Sequence, residues 1–188
     1  VSMVSLPSDG ALRTAFVLML AAALFDFLDG FVARLTRQYS PLGAQLDSLA
    51  DMVSFVLLPM LVAMKVYYLA GGHGTWSAVM FLLPVCGALR LARFNVSDDH
   101  QGDFVGLPVP ACALLIGAAG WYAAGRMGVP AAGWVQWGVL VAGVALALLM
   151  VSSVRMFSLK FAGFRFAGNE VRYLYLLLSL AIVAVAGL

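Results

Sequence analysis

Residues 12–34 read LRTAFVLMLAAALFDFLDGFVAR, an apolar run that carries two aspartates, Asp26 and Asp29, near its far end. Its length exceeds the roughly 20 residues that a helix needs to cross the hydrocarbon core of a bilayer. Apolar residues fill it almost continuously, whereas a transmembrane β-strand would alternate apolar and polar residues. The run therefore predicts a membrane-spanning helix that contains two acids.

Similar runs occupy most of the remaining chain. The 188 residues are 63% hydrophobic and only 11% charged, a composition that excludes an ordinary soluble domain. Further runs of spanning length lie at 44–68, 75–93, 108–126, 132–152 and 171–187. We predict an all-α, polytopic transmembrane helical bundle with about six spans, forming a single domain over residues 1–188. The apolar start, Val1 to Leu6, lacks the features of a signal peptide and is interpreted as the end of a truncated span upstream.

Basic residues are distributed unequally between the two ends of these spans. Eight of the eleven Lys and Arg residues lie at one set of ends: Arg34, Arg37, Arg90, Arg93, Arg155, Lys160, Arg165 and Arg172. The opposite ends carry the other three: Arg13, Lys65 and Arg126. Because positive residues concentrate on the cytoplasmic side, the first set is expected to face the cytoplasm. The predicted location is the cell membrane.

Four aspartates lie inside the first two predicted spans, although a charge within a membrane helix costs at least about 2.5 kcal/mol. Asp26 and Asp29 are spaced i, i+3, and Asp47 and Asp51 are spaced i, i+4, so each pair projects from one helical face. Since consecutive spans are antiparallel, all four lie near the cytoplasmic end, with Asp26 about 12 Å and Asp29 about 8 Å below Arg34. Oxygen ligands without His or Cys favour Mg²⁺, Mn²⁺ or Ca²⁺ over zinc. The pattern predicts a recessed divalent-metal site.

Other interpretations of the four acids are an inert interhelical cluster, a cation transporter and a membrane prenyltransferase. Intramembrane acids are functional by default, which disfavours the inert cluster. A transporter predicts acids spread across the bilayer depth, and prenyltransferase motifs have other spacings. Elsewhere, Cys86 and Cys112 are interpreted as packing residues, the acidic segment 98–103 as a solvated loop, and His73 is given no role.

Residues 26–51, DFLDGFVARLTRQYSPLGAQLDSLAD, fit D-x2-D-G-x2-A-R-x8-G-x3-D-x3-D at every fixed position. This string resembles the signature of the CDP-alcohol phosphatidyltransferase family. The resemblance implies that Asp26, Asp29, Asp47 and Asp51 hold two divalent ions, Mg²⁺ or Mn²⁺, and that Asp51 also acts as the general base. It further implies contact between the cytidine diphosphate group and five residues: Asp29, Gly30, Ala33, Arg34 and Gly43.

Three later segments resemble the members of this family that use serine: ALRLARFNV at 88–96, DFVGLPVPA at 103–111 and SSVRMFSLKF at 152–161. This resemblance implies transfer of a phosphatidyl group from CDP-diacylglycerol to L-serine with release of CMP. Glycerol 3-phosphate and inositol phosphate stay open as acceptors. Arg90, Arg93 and Asn95 lie at the cytoplasmic end of the third span, where guanidinium and amide groups can bind an acceptor carboxylate or phosphate. The expected partners are these substrates, the lipid bilayer and a second copy in a homodimer, with no nucleic acid.

Overall fold

The computed structural model describes residues 8–36, 40–96, 106–126 and 133–154, which all belong to one compact unit, Val1–Arg155. These residues form helices and contain no strand. The all-α prediction is therefore confirmed for the described part of the chain. A single domain over residues 1–188 stays a prediction, because the residues after 154 lie outside that part.

The described residues form six α-helices in chain order: α1 Ser8–Thr36, α2 Pro41–Met52, α3 Leu58–Leu69, α4 Leu82–Val96, α5 Val109–Ala124 and α6 Val135–Val151. A π-helical segment, Val53–Leu57, makes α2 and α3 one continuous rod, and a 3-10 segment, Gly74–Phe81, leads directly into α4. Helix α2 begins sharply because Ser40 accepts a hydrogen bond from the backbone N–H of Gly43 at 2.9 Å and Pro41 occupies the first helical position.

Three continuous helical stretches are long and apolar enough to cross a membrane: Gly10–Ala33 with 24 residues, Leu42–Leu69 with 28 and Gly74–Val96 with 23. They coincide with the first three predicted spans. The fourth and fifth predicted spans correspond to shorter apolar helices, α5 and α6, of 16 and 17 residues, at the lower limit for crossing a bilayer. The predicted span 171–187 lies outside the described residues, so the count of six stays a prediction.

All four tryptophans lie at the helix ends opposite to the acids: Trp76 before α4, Trp121 near the end of α5, and Trp134 and Trp137 around the start of α6. The rings of Trp76 and Trp137 meet edge to face with centroids 5.8 Å apart. The guanidinium of Arg13 lies 5.5 Å from the centre of the Trp121 ring. Because tryptophan concentrates at membrane–water boundaries, this end marks the boundary farther from the acids.

Gly106, three residues before the start of α5, links the segment that leads into that helix to the end of α6. Its N–H donates to the carbonyl oxygen of Val154 at 2.8 Å, and the N–H of Leu107 donates to that of Leu149 at 2.9 Å. Gly106 has a φ of +77°, in the left-handed region that favours glycine. A Cβ at this position would lie 2.6 Å from the carbonyl oxygen of Met150, so a larger residue cannot fit without moving backbone.

Gly106→Ala is expected to lower the free energy of unfolding by about 2–4 kcal/mol, because left-handed strain and overpacking each cost on the order of 1–2 kcal/mol. Gly138→Ala in α6 is the matched control, since no described residue lies within 4 Å of its added Cβ and alanine favours a helix by up to about 1 kcal/mol. Thermal unfolding of the detergent-solubilised variants measures both changes. Equal stability of the two variants would contradict this account of Gly106.

Candidate active site

Helices α1 and α2 bring three of the four predicted acids together. One carboxylate oxygen from each of Asp26, Asp47 and Asp51 lies within 4.8 Å of the other two. Asp26 comes from α1, while the other two come from successive turns of α2. Asp26 and Asp51 are half-buried and Asp47 is exposed. The group is therefore formed between two helices and open on one side.

Asp29 is exposed and lies outside this three-carboxylate group. Its charge nevertheless acts on both Asp26 and Asp47, which it repels. Asp29 thus lies at the rim of the site, one turn closer to the end of α1 than Asp26. Its predicted role as a fourth metal ligand stays a prediction.

The three-carboxylate group suits a divalent cation. Its members repel one another and are partly withdrawn from water, and a cation bound among them relieves both costs. Carboxylate oxygens are the donors that Mg²⁺ and Mn²⁺ prefer. At metal–oxygen distances of about 2.0–2.1 Å, one Mg²⁺ joins oxygens up to roughly 4 Å apart. Small rotations of the three aspartate side chains are enough to reduce the observed oxygen–oxygen separation to this distance.

The residues predicted to contact the cytidine diphosphate group belong to the same two helices as the acids. Gly30 and Ala33 are half-buried on α1, beyond Asp29. Gly43 lies in the first turn of α2, where a Cβ would lie 2.9 Å from the hydroxyl oxygen of Ser40. Arg34 belongs to α1, and its side chain lies outside the described part of the structure. These positions are close in sequence to the acids, and their contact with a substrate stays a prediction.

Helix α4 runs antiparallel to α2 and the π-helical segment, and three residue pairs join them: Val56 with Gly87, Asp51 with Arg90, and Ser48 with Asn95. The backbone at Gly87 approaches so closely that a Cβ there would lie 2.8 Å from Cγ1 of the buried Val56. Because a close packing contact lies on one side of Asp51 and a hydrogen bond on the other, the register of α4 beside Asp51 is fixed.

Arg93 and Asn95, two of the predicted acceptor contacts, have partners within the protein. The guanidinium of Arg93 donates from Nη1 to the carbonyl oxygen of Val151 at 3.2 Å, and so satisfies one of the free carbonyls at the end of α6. The side-chain amide of Asn95 donates from Nδ2 to the hydroxyl of Ser48 at 2.9 Å. Ser48 was not predicted from the sequence, where its only distinguishing feature is a hydroxyl next to Asp47.

A double-mutant cycle tests the contact between α2 and α4. Ser48→Ala and Asn95→Ala are each expected to destabilise the protein, with a coupling energy of about 0.5–1.5 kcal/mol, nearer the lower value if lipid surrounds the pair. The measurement is the free energy of unfolding in detergent for the two single variants and the double variant. Strictly additive losses would show that the hydrogen bond contributes nothing to stability.

Comparison with known proteins identifies the family to which this site belongs. The sequence profile described as CDP-alcohol phosphatidyltransferase matches residues 1–150. The matched region includes α1 to α5 and all but the end of α6, and therefore all four acids.

Individual relatives agree with the profile. The chain is 36% identical over 149 residues to archaetidylserine synthase of Methanothermobacter thermautotrophicus, covering 78% of this chain and 59% of the relative. It is 42% identical over 102 residues to CDP-diacylglycerol--serine O-phosphatidyltransferase of Helicobacter pylori, covering 53% and 42% of the two chains. The protein of that name from Methanocaldococcus jannaschii is 43% identical over 105 residues, covering 56% and 49%.

The aligned regions thus span about half the length of these relatives. The profile, in contrast, covers most of the present chain, including the two helices that carry the acids. Together with the three long apolar helices, this match shows that the chain is an integral membrane protein and belongs to the CDP-alcohol phosphatidyltransferase family.

Proposed function

We propose that this protein transfers a phosphatidyl group from CDP-diacylglycerol to the hydroxyl of L-serine and releases CMP. The observation that carries the proposal is the group of three carboxylates within 4.8 Å, formed by the family motif on two helices. The choice of serine is supported by relatives named for serine as the acceptor. Transfer to glycerol 3-phosphate or inositol phosphate is the alternative within the same family.

In this reaction Asp51 accepts the proton of the serine hydroxyl. As the hydroxyl oxygen forms a bond to the lipid-bearing phosphorus, the bond from that phosphorus to the bridging oxygen breaks and CMP leaves. General base catalysis by a positioned carboxylate typically contributes 10² to 10⁴ in rate. When bound, divalent ions, Mg²⁺ or Mn²⁺ and two in number, neutralise charge on the pyrophosphate oxygens.

Asp26, Asp47 and Asp51 would hold these ions, with Asp29 completing the set from the rim. The donor nucleotide is assigned to the neighbouring surface of Asp29, Gly30, Ala33, Arg34 and Gly43. Small residues at three of these positions allow close approach of a bulky group to the helix backbone, and the planar guanidinium of Arg34 suits phosphate oxygens.

The site is proposed to face the cytoplasm of the cell membrane. The predicted spans place eight of the eleven basic residues at the same ends as the acids, and the tryptophans lie at the opposite ends of the described helices, which supports this orientation. A homodimer is proposed from the family resemblance. Labelling of Cys variants placed near Gly125 and near Val96, in sealed vesicles of known orientation, tests the topology. Crosslinking in the same vesicles tests the dimer.

The activity is tested by CMP release from CDP-diacylglycerol with Mg²⁺ or Mn²⁺ and one acceptor at a time: serine, glycerol 3-phosphate or inositol phosphate. Because one relative is named for archaetidylserine, an ether-linked CDP-lipid is included as a second donor. Serine-dependent release of CMP is the expected result. Release with glycerol 3-phosphate alone would keep the reaction class and overturn the assignment of serine.

A further inference from the structure

Arg90 on α4 is a charged residue whose partners within the protein are incomplete. Its side chain is partly buried, and its Nε is fully buried without a hydrogen-bond partner among the described residues. Its charge attracts that of Asp51, yet no hydrogen bond from Arg90 to a carboxylate occurs in the described part of the chain. Since a buried charge is costly unless it is paired and hydrogen-bonded, this guanidinium is suited to an anion that the protein itself does not supply.

Arg90 lies on the side of the three-carboxylate group that Asp51 occupies. Arg90 lies on α4, which packs against α2, and its charge attracts that of Asp51 there, whereas Asp26 belongs to α1. Under the proposed function, Asp51 faces the acceptor hydroxyl. The guanidinium therefore lies on the acceptor side of the three-carboxylate group.

The remaining polar side chains at this end of α4 are engaged elsewhere. Arg93 donates to the end of α6 and Asn95 donates to Ser48. The contacts of Gly87 and Asn95 with the neighbouring helix fix Arg90 between them, beside Asp51. Of the three residues predicted to contact the acceptor, Arg90 alone combines a position beside Asp51 with an unpartnered donor.

Resting on the proposed function, we propose that Arg90 binds the carboxylate of the acceptor amino acid and thereby selects it over uncharged alcohols. A guanidinium presents a planar array of donors that matches the two oxygens of a carboxylate. An acceptor without that group leaves the guanidinium unpaired, which is the arrangement that discriminates most strongly between related substrates. Arg90 is thus assigned as a specificity-determining residue.

The test compares L-serine with L-serinamide, which keeps the hydroxyl and the amine but has no carboxylate. The purified protein in detergent is assayed for CMP release from CDP-diacylglycerol with Mn²⁺. The unaltered protein is expected to favour serine in kcat/KM by on the order of 10- to 100-fold. Arg90→Gln is expected to remove most of this preference, through a higher KM for serine with little change for serinamide. Arg90→Lys is expected to restore part of it.

Arg126→Gln is the control, because Arg126 lies at the opposite end of the bundle, 4.7 Å from the ring of Tyr122. This variant is expected to have the same ratio of kcat/KM for serine to kcat/KM for serinamide as the unaltered protein. Equal loss with both acceptors in Arg90→Gln would overturn the assignment and indicate action through Asp51 or through the fold. A higher KM for CDP-diacylglycerol alone would overturn it in favour of the donor phosphates.

Failure of the proposed function and failure of the role of Arg90 give different results. If the unaltered protein releases no CMP with any acceptor, the proposed function fails. If it uses serine and Arg90→Gln keeps the full preference over serinamide, only the inference fails. Should Arg90→Gln not fold, the preference of the unaltered protein and its change in Arg90→Lys still decide the question, because the lysine variant retains the charge.

Discussion

Asp51→Asn is expected to lower kcat for serine-dependent CMP release by about 10²–10⁴-fold, the usual contribution of a positioned general base. The amide has nearly the shape of the carboxylate but cannot accept the hydroxyl proton. It also removes one carboxylate from the three-carboxylate group proposed to hold metal, so the loss is expected at the upper end of that range. The initial rate at saturating serine, CDP-diacylglycerol and Mn²⁺ measures this change.

Two comparisons show whether the loss comes from the base. Asp98→Asn, which removes a carboxylate from the segment interpreted as a solvated loop, is expected to keep normal activity. Raising the Mn²⁺ concentration is expected to restore metal binding to Asp51→Asn, measured as thermal stabilisation, without restoring the rate. Near-normal activity at high Mn²⁺ would mean that Asp51 acts only as a ligand.

Asp47→Asn is expected to have opposite effects on stability with and without metal. In chelator, the variant is expected to unfold at the same or a higher temperature than the unaltered protein, because one of three mutually repelling carboxylates has gone. With Mn²⁺ at about 100 times its dissociation constant, the unaltered protein gains about 2.7 kcal/mol. The variant is expected to lose most of that gain together with its activity.

When the unfolding temperature is plotted against Mn²⁺ concentration, starting from chelator, the curves of the unaltered protein and Asp47→Asn should therefore cross. Gln45→Ala is a suitable control on the same helix, because this exposed residue belongs to neither the motif nor the metal group; its curve is expected to rise with Mn²⁺ as that of the unaltered protein does. A lower stability of Asp47→Asn in chelator would show that the carboxylate has a structural role beyond metal binding.

The sequence was sufficient to place the first three spans and the acids within them, for a simple physical reason. A bilayer demands long apolar runs, so the first three spans are visible from composition alone, and charges within them stand out. The spacing of Asp47 and Asp51 then placed both on one face of α2, as observed. By their spacing Asp26 and Asp29 are equivalent, whereas the structure brings only Asp26 into the three-carboxylate group.

The difference between Asp26 and Asp29 depends on how α1 crosses α2, which hydrophobic periodicity does not specify. The partners of Arg93 and Asn95 were unpredictable for a related reason. Each is a contact between helices that are distant in sequence, at 3.2 Å to Val151 and 2.9 Å to Ser48. A basic residue near a span end has the same sequence pattern whether it caps a helix or binds a substrate.

The π-helical segment Val53–Leu57 makes the number of residues after Asp51 as important as their chemistry. A residue in an α-helix advances about 100° around the axis, so the wider π turn sets the angle between the acids on α2 and the packed face of α3. Deleting Ser54 there would keep every proposed ligand and every apolar side chain, yet turn Asp47 and Asp51 away from Asp26. In the evolution of this helix, insertions and deletions would therefore be tolerated less readily than substitutions.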